Sequence, residues 1–253
     1  MKIVTYNLNG VRAACNKGLN DWIQNSGVDI FCFQETRATE EQIKSVLDTT
    51  GYHAYFNVAE KKGYSGTGVL TRKEPLEVKT FLASVKEDKE GRLLLLKYEG
   101  FSILNYYTPN GGSRLDFKFE FMNKVLSDIK EIIKDEELII CTDFNIAHTE
   151  EDVSNPKACR NRTGFLPEEC KLFDEYLKAG LNDCYRRLHP QGDAFTWSSY
   201  SAKATGNKAG WLYRFDYIFA SGGIVDRLIK CETLLDKDYS DHYPVLAEFN
   251  VRL

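Results

Sequence analysis

The stretch LIICTDFN, residues 138–145, is an apolar run that passes into polar side chains, and the same pattern recurs along the chain. Its β-branched residues predict a strand over residues 137–143, with Asp143 at the carboxyl end and Asn145 just beyond it. The pattern recurs in IVTYNLN, IFCFQE and ILNYYTPN, while SDHYPVLAEF begins with its polar residues and YRFDYIF holds Asp216 inside an aromatic strand. Six strand-like runs therefore carry polar side chains.

These polar side chains are expected to gather in one cleft, because strands that end at the same sheet edge bring their tips together. A single Asn or Asp at a strand end is more simply a turn residue, but six such runs are harder to explain in that way. Burying Asp216 without a partner would cost several kcal/mol, so it must be paired or hydrogen-bonded. The expected cleft residues are Asn7, Asn9, Glu35, Tyr107, Asp143, Asn145, Asp216, Asp241 and His242.

The 253 residues, of which 43% are hydrophobic and 28% charged, predict one globular domain over residues 1–253. Strands are predicted at 2–8, 28–33, 67–72, 92–98, 101–107, 137–143, 194–199, 213–220 and 244–251, and helices at 17–25, 40–49, 117–134 and 167–179. KYEGFS, residues 97–102, predicts a tight hairpin between two of these strands. Many strands with interspersed helices favour an α/β sandwich of two packed sheets with helices outside.

Location and partners are only weakly indicated by the composition. Seven scattered cysteines, no visible secretory signal and no apolar run of membrane-spanning length predict a cytoplasmic protein with reduced thiols and no membrane contact. The formal net charge of −4 does not by itself indicate a nucleic-acid partner, although a carboxylate-rich site would account for part of it.

The expected cleft has the composition of a site for a hard cation. One histidine, no cysteine and several oxygen ligands suit Mg²⁺ or Mn²⁺ and argue against Zn²⁺. The adjacent Asp241 and His242 could instead suggest a serine hydrolase, but GYSGTG at residues 63–68 lacks the glycine spacing of a nucleophile elbow. The serine triad is therefore disfavoured.

Nine sequence blocks carry a resemblance to a known family. They are YNLNGVRA, CFQETR, KKGYSGTGV, YYTPNGG, TDFNIAH, NPKACRNRTGFLPEE, WSSY, RFDYIF and SDHYPV. In this order, and over essentially the whole chain, they resemble the exonuclease III-type apurinic/apyrimidinic endonucleases of the endonuclease/exonuclease/phosphatase superfamily. The resemblance implies a DNase I-like four-layer α/β sandwich, with two packed, mostly antiparallel β-sheets flanked by helices.

The activity that the resemblance implies is DNA repair. It implies a monomeric, Mg²⁺-dependent nuclease, with Mn²⁺ as a substitute, that hydrolyses the phosphodiester 5′ to abasic sites in double-stranded DNA. It also implies 3′–5′ exonuclease and 3′-phosphodiesterase activity on blocked 3′ ends. Two rivals are a phospholipid or inositol phosphate hydrolase of the same fold and a non-catalytic DNA-binding module. The loop blocks KKGYSG and NPKACRNRTGF, which match the DNA loops of the family, disfavour the first rival. The presence of Glu35, Asp143, Asp216 and His242 disfavours the second.

Site roles follow from the resemblance position by position. Glu35 resembles the principal metal ligand, assisted by Asn7 and Asp241, with Asp143 and Asn145 also in the expected metal set. Asp143 resembles the residue that orients and deprotonates the attacking water, with Asn145 beside it. Tyr107 resembles the tyrosine at the phosphate or leaving group, and a Tyr107 phenolate remains an alternative base. Asp216 is expected to hydrogen-bond His242 and to direct its imidazole toward a phosphate oxygen.

Three loops and a set of aromatic residues are the expected DNA-binding elements. The loops carry Lys61, Lys62, Tyr64 and Ser65; Arg160, Asn161 and Arg162; and Tyr200, Lys203 and Lys208; Asn110 is a further expected contact, and Trp197, Trp211, Tyr213 and Phe215 are expected pocket walls. Solvated loop charges and core aromatics are the alternative interpretations.

The chain departs from the family pattern at three places. Asn9 is an amide where some relatives have a carboxylate, and Cys159 and Arg162 stand where asparagines are more usual. KAGWLYRFDY has two extra residues between its tryptophan and aspartate, so either Trp211 or Tyr213 could form the pocket wall.

Overall fold

Two six-stranded sheets face each other in the computed structural model, which describes residues 1–199, 201, 204, 206 and 210–253. The strands are β1 (Lys2–Asn7), β2 (Ile30–Gln34), β3 (His53–Asn57), β4 (Thr67–Thr71), β5 (Glu77–Lys79), β6 (Leu93–Tyr98), β7 (Phe101–Tyr107), β8 (Glu137–Asp143), β9 (Leu181–Asp183), β10 (Trp197–Ser198), β11 (Leu212–Tyr213), β12 (Asp216–Ser221), β13 (Leu228–Thr233) and β14 (Val245–Phe249). The helices are α1 (Val11–Asn16), α2 (Leu19–Asn25), α3 (Glu40–Val46), α4 (Leu115–Asp135), α5 (Pro156–Cys159), α6 (Pro167–Lys178) and α7 (Cys184–Leu188). Short 3₁₀ segments cover Gly112–Arg114, Glu150–Asp152 and Gly222–Arg227.

The two sheets have matching mixed topologies. The first has the order β13-β14-β1-β2-β4-β3 and the second the order β5-β6-β7-β8-β12-β9, while β10 and β11 form a separate ribbon. Each six-stranded sheet has one parallel pair, β1–β2 in the first and β7–β8 in the second, and its other pairs are antiparallel. The expected mostly antiparallel arrangement is confirmed.

The alternation of side chains along the central strands builds the four layers. In β1, Ile3 packs in the core between the sheets, whereas Val4 and Tyr6 pack with residues of α1, α2 and α3 on the outer face. In β7, Ile103 faces the shared core and Leu104 packs with residues of α4 and α6. Burial on both faces explains why these strands read as continuous apolar runs. The predicted α/β sandwich is confirmed.

Several element boundaries differ from the predictions. The strand expected at 213–220 is divided, because the Arg214 backbone N–H donates to the Asp152 carbonyl and the Phe215 N–H donates to Thr196 Oγ1, so that neither N–H joins a ladder. The strand expected at 194–199 is reduced to β10, whose partner β11 is equally short. The hairpin between β6 and β7 is confirmed, with Tyr98 opposite Phe101. None of the helices in the described residues is long and apolar enough to cross a membrane.

Gly91 provides a test of backbone packing near the cleft. Its φ is +63°, and a Cβ there would lie 2.4 Å from the Asn57 carbonyl oxygen and 2.7 Å from the Val58 carbonyl carbon. Gly100 also has a positive φ, of +85°, but a Cβ there would meet open space. We expect Gly91→Ala to lower the free energy of unfolding by about 3 kcal/mol and Gly100→Ala by about 1 kcal/mol, because only the first adds a clash to the backbone strain. Urea denaturation of both variants measures this difference, and equal losses would contradict it.

Candidate active site

The expected polar residues meet at one edge of the sandwich. Asn7 ends β1, Glu35 follows β2, Tyr107 ends β7 and Asp143 ends β8. β12 begins there with Asp216, directly opposite Asp143 in the antiparallel register. The segment before β14 then brings in Asp241 and His242. The prediction that the polar residues gather in one cleft is confirmed.

Asp143 is buried and held by amide groups. Its Oδ2 accepts from Asn7 Nδ2 at 2.7 Å and from Asn145 Nδ2 at 3.2 Å, and its Oδ1 accepts from the Asn145 backbone N–H at 3.0 Å. Burial raises the pKa of Asp143 to about 7, opposed by the cationic His242 and reinforced by the nearby Asp216 and Glu35 carboxylates. A carboxyl group with a pKa near neutrality can accept a proton from water.

Glu35 lies at the other side of Asn7 and has two further partners. Tyr107 donates a short hydrogen bond to its Oε1, and the partly exposed Arg37 forms an ion pair with its Oε2. Burial, with the charges of Glu35 and Asp143, raises the pKa of Tyr107 well above its usual range. The phenol therefore stays protonated here, which favours Asp143 over a Tyr107 phenolate as the base.

His242 and Asp216 form a buried pair. The imidazole Nδ1 donates to Asp216 Oδ2 at 2.8 Å, while Nε2 points toward Asp143, 4.0 Å from its Oδ2. Burial alone would lower the pKa of His242, but the charges of Asp216 and Asp143 and the hydrogen bond to Asp216 raise it to about 10. The expected hydrogen bond is confirmed, and the ring is a cation at neutral pH.

Asp241 belongs to a different set of contacts from its neighbour. Its Oδ1 accepts from Asn9 Nδ2 at 2.8 Å and its Oδ2 from Trp197 Nε1 at 3.1 Å. Although burial opposes ionisation, the charge of His242 and these two hydrogen bonds lower the pKa of Asp241. The adjacent Asp241 and His242 therefore serve separate parts of the cleft.

The carboxylates of the cleft suit a divalent cation. Glu35, Asp143 and Asp216 are buried, with Arg37 and His242 as their cationic neighbours, and Asp216 Oδ1 has no hydrogen-bond partner among the described residues. Within the described part of the chain, ligand atoms of Asp143, Asp216 and His242 lie within 4.8 Å of one another. A protonated His242 cannot ligate a metal, so the possible ligands at this edge are the carboxylate oxygens.

Asn7 and Asn145 turn their amide N–H groups, and not their amide oxygens, toward the carboxylates of the cleft. Asn7 directs its NH₂ group at Glu35 and Asp143, and its Oδ1 accepts from the Asn9 backbone N–H. Asn145 Nδ2 likewise donates, to Asp143 and to the Thr108 carbonyl. In the free protein both amides therefore act as hydrogen-bond donors, and the metal-ligand role expected for them stays a prediction.

A cavity of about 370 Å³ opens beside these carboxylates. Its walls include four aromatic side chains that were expected to form a pocket, and both of the alternatives Trp211 and Tyr213 contribute. The Arg162 guanidinium lies 4.6 Å from the centre of the Trp211 ring. The full lining is Asn9, Glu35, Arg37, Asn110, Asp143, Asn145, Arg162, Thr163, Gly164, Trp197, Trp211, Tyr213, Phe215, Asp241 and His242.

The residues of the expected DNA loops differ in how exposed they are. In the first loop, Lys62 is exposed, and the Tyr64 hydroxyl accepts from Arg114 Nη1 at 2.6 Å. Ser65 is only 2% exposed, so its side chain is not available as the expected DNA contact. In the second loop, the exposed Arg160 pairs with Glu150. Asn161, Arg162 and Asn110 are exposed as well. Tyr200, Lys203 and Lys208 lie outside the described residues.

Sequence reasoning missed three kinds of residue around the site. Arg37 was not singled out, although it follows Glu35 by two positions and pairs with it. Thr163 and Gly164 line the cavity, and Lys118 lies fully buried beneath Asn145. The block NPKACRNRTGF contains Thr163 and Gly164, whereas nothing in the sequence around Lys118 on α4 signals its burial.

Known proteins are similar to this chain in both sequence and fold. The Endonuclease/Exonuclease/phosphatase family matches residues 4–242. An exodeoxyribonuclease of Bacillus subtilis is 36% identical over 99% of this chain and its own full length, and the DNA repair nuclease APEX1 of Danio rerio is 34% identical over 97% of this chain and 81% of its own length.

Solved structures agree with this assignment. An AP endonuclease from Archaeoglobus fulgidus superposes with a TM-score of 0.85 at 26% identity, over 99% of this chain and 100% of that one. A Neisseria 3′ phosphatase bound to a product DNA hairpin shares the fold, with a TM-score of 0.90 at 24% identity over 99% of this chain and 100% of that one. The chain therefore belongs to the Endonuclease/Exonuclease/phosphatase family, in its exonuclease III-type apurinic/apyrimidinic endonuclease branch, and is a nuclease-type hydrolase.

Proposed function

We propose that the protein is a Mg²⁺-dependent DNA-repair nuclease that hydrolyses the phosphodiester 5′ to abasic sites in double-stranded DNA. The observation that carries the proposal is the position of Asp143 and His242, a proton acceptor and a cation 4.0 Å apart, beside an aromatic-walled cavity. Trimming of blocked or ordinary 3′ ends, as 3′-phosphodiesterase and 3′–5′ exonuclease, uses the same hydrolytic groups. The relatives named above act in exonuclease and DNA repair chemistry.

Each buried group has a defined task in this reaction. Asp143 orients the attacking water and accepts its proton, while Asn7 and Asn145 fix the carboxylate through their N–H donors. The cationic His242, held by Asp216, faces a non-bridging phosphate oxygen and stabilises the charge that develops there. The Tyr107 hydroxyl donates a hydrogen bond to Glu35 in the free protein, and we assign to it the contact with the phosphate or leaving group.

Glu35 is proposed as the principal ligand of the metal, with Asp241 as the second carboxylate. Bound Mg²⁺, or Mn²⁺ in its place, would neutralise phosphate charge and stabilise the leaving alkoxide. Arg37 is partly exposed and pairs with the same carboxylate, so it would be the counter-ion of Glu35 when no cation is bound. Asn7 and Asn145 then act as hydrogen-bond donors rather than ligands.

The cavity supports the proposed preference for an abasic nucleotide. An extruded deoxyribose without its base can pack against Trp197, Trp211, Tyr213 and Phe215. Backbone phosphates would be held by exposed cations such as Lys61 and Lys62, which position the duplex without reading sequence. We propose that the protein acts as a monomer in the cytoplasm, in base excision repair.

A duplex with one tetrahydrofuran abasic analogue tests the proposal. We expect incision immediately 5′ to the analogue in the presence of Mg²⁺, loss of incision with excess EDTA, and recovery when Mg²⁺ or Mn²⁺ is added back. Denaturing electrophoresis of end-labelled strands measures the product, and the same duplex with an intact nucleotide is the control. Incision that is indifferent to EDTA would contradict metal dependence. Release of 3′-terminal phosphate without any abasic incision would instead indicate a 3′ phosphatase.

A further inference from the structure

A buried ion pair lies directly beneath the cleft. Lys118 of α4 and Glu169 of α6 are both 0% exposed, and Lys118 Nζ donates to Glu169 Oε1 at 2.6 Å. Desolvating two charges usually offsets their attraction, so a buried pair of this kind is weak support for stability. Its other hydrogen bonds instead reach the turn that carries Asn145 and the turn that lines the cavity.

The lysine holds the catalytic turn. Lys118 Nζ also donates to the Asn145 backbone carbonyl at 2.7 Å. Asn145 has a φ of +51°, in the left-handed region that is unfavourable for most residues, and the bond to Lys118 supports this conformation. The same turn directs the Asn145 N–H and Nδ2 groups at Asp143. Lys118 therefore acts on the Asp143 carboxylate through Asn145.

The glutamate holds the cavity wall. Glu169 Oε2 accepts from the backbone N–H groups of Gly164 at 2.6 Å and Leu166 at 3.0 Å, and Oε1 accepts from Thr163 Oγ1 at 3.3 Å. Thr163 and Gly164 line the cavity, and a Cβ on Gly164 would lie 2.8 Å from Phe215 Cζ. The position of this turn therefore sets the space that is left for a sugar against Phe215.

We propose that Lys118 and Glu169 are a positioning pair that keeps the Asp143–Asn145 turn in register with the Thr163–Leu166 wall of the cavity. The inference rests on the proposed function and adds two residues that do not touch the substrate. A direct bond also joins the two turns, from the Ala147 N–H to the Gly164 carbonyl at 2.7 Å. The ion pair holds both turns from beneath the cleft, so that the proton acceptor and the cavity wall keep a fixed position relative to each other.

The decisive variant is the double substitution Lys118→Met and Glu169→Met. It replaces the pair by apolar side chains of similar length and leaves no unpaired buried charge, so we expect it to fold. Its melting temperature should fall by several degrees, because the Asn145 carbonyl and the Gly164 and Leu166 N–H groups lose their partners in the pair. We expect kcat to fall about 100-fold on every substrate, because a displacement of about 1 Å at the catalytic turn has an effect of that size. Asp128→Asn is the matched control, since Asp128 is a buried carboxylate on the same helix that bonds only Ser84 among the described residues.

Two substrates separate positioning from general damage. A duplex with an internal tetrahydrofuran residue occupies the cavity, whereas a nick with a 3′-terminal phosphate places no abasic sugar there. We expect Glu169→Gln to raise KM about 10-fold for the first substrate only, and Lys118→Gln to lower kcat for both. The Asp128→Asn control should leave both constants unchanged.

Several outcomes would overturn the proposal. Parent-like kcat and KM in the folded double variant would show that the pair positions nothing, and unfolding of the double variant would show that it serves stability. Equal changes for both substrates in the Glu169→Gln variant would remove its link to the cavity wall. A parent protein that cleaves neither substrate would instead count against the proposed function.

Discussion

Replacing Asp143 with asparagine is expected to lower kcat for abasic-site incision about 1,000-fold while the protein still binds its DNA substrate. Asparagine keeps the shape of the side chain and one oxygen for the Asn7 and Asn145 side-chain donors, while its NH₂ group replaces the oxygen that accepts from the Asn145 backbone N–H. It cannot accept a proton from water. The carboxyl group suits that task because burial has raised its pKa to about 7. Binding should persist, since the exposed loop cations make the expected contacts with the backbone phosphates.

Single-turnover incision of the tetrahydrofuran duplex measures the chemical step, and fluorescence anisotropy of the same labelled duplex measures binding. Tyr107→Phe is the companion variant, because it removes the hydroxyl of the alternative base and its bond to Glu35. We expect it to lower kcat about 10-fold, the effect of one lost hydrogen bond to a charged group. Near-parent turnover in the Asp143→Asn variant would transfer the role of the base to another group, and a larger loss in Tyr107→Phe would identify that group.

The interior of both sheets was predictable from sequence, whereas the sheet edges were not. Seven of the eight strands with neighbours on both sides are buried on both faces, whereas β14 alternates buried with partly exposed residues. The apolar runs of all eight were recognised, although the run containing β12 was drawn too long. The four edge strands, β3, β5, β9 and β13, were all missed. HAYFN in β3 and LIKCET in β13 are partly exposed and mix polar with apolar residues, because an edge strand has less surface to bury.

Short local elements were missed for a different reason. Helix α1 is only six residues long and has no side-chain cap; it follows Gly10, whose φ is +108°. Neither the period of apolar residues nor a capping signal marks such a helix, and packing of Val11 and Ala14 in the helix-facing core of the first sheet stabilises it instead. By contrast, the long periodic helix α4 was predicted to within two residues at each end.

The residue types of the candidate site were predictable because each lies in or beside a strand-like run that the sequence pattern located. Their orientation was not, since it depends on contacts between residues far apart in the chain. Asn7 looked like an oxygen ligand, yet it is a donor that bridges Glu35 and Asp143, which is 136 positions away. Lys118 lies in the predicted helix 117–134 with no sign of burial in the sequence, and its bonds to Glu169 and to the Asn145 carbonyl accompany its complete burial.

The pairing of Asp216 with His242 is expected to matter almost as much as Asp143 itself. In an Asp216→Asn variant, the amide oxygen can still accept from Nδ1, but the negative charge that keeps the imidazole protonated is lost. We expect kcat/KM for abasic-site incision to fall about 100-fold at neutral pH, because a cation facing the phosphate is replaced by a neutral ring.

The pH profile of Asp216→Asn distinguishes this electrostatic role from a loss of packing. The parent His242, with a pKa of about 10, stays protonated through the neutral range, whereas the variant histidine titrates at a lower pH and loses its proton as the pH rises. The deficit in kcat/KM relative to the parent should therefore widen between mildly acidic and mildly alkaline buffers.

Asp174→Asn is the matched control for this pH profile. His148 and Asp174 are also 2.8 Å apart but lie outside the cleft, so that variant should keep the parent profile. A deficit in Asp216→Asn that is constant with pH would mean that Asp216 only orients the ring, and a parent-like rate would mean that the charge on His242 is dispensable for hydrolysis.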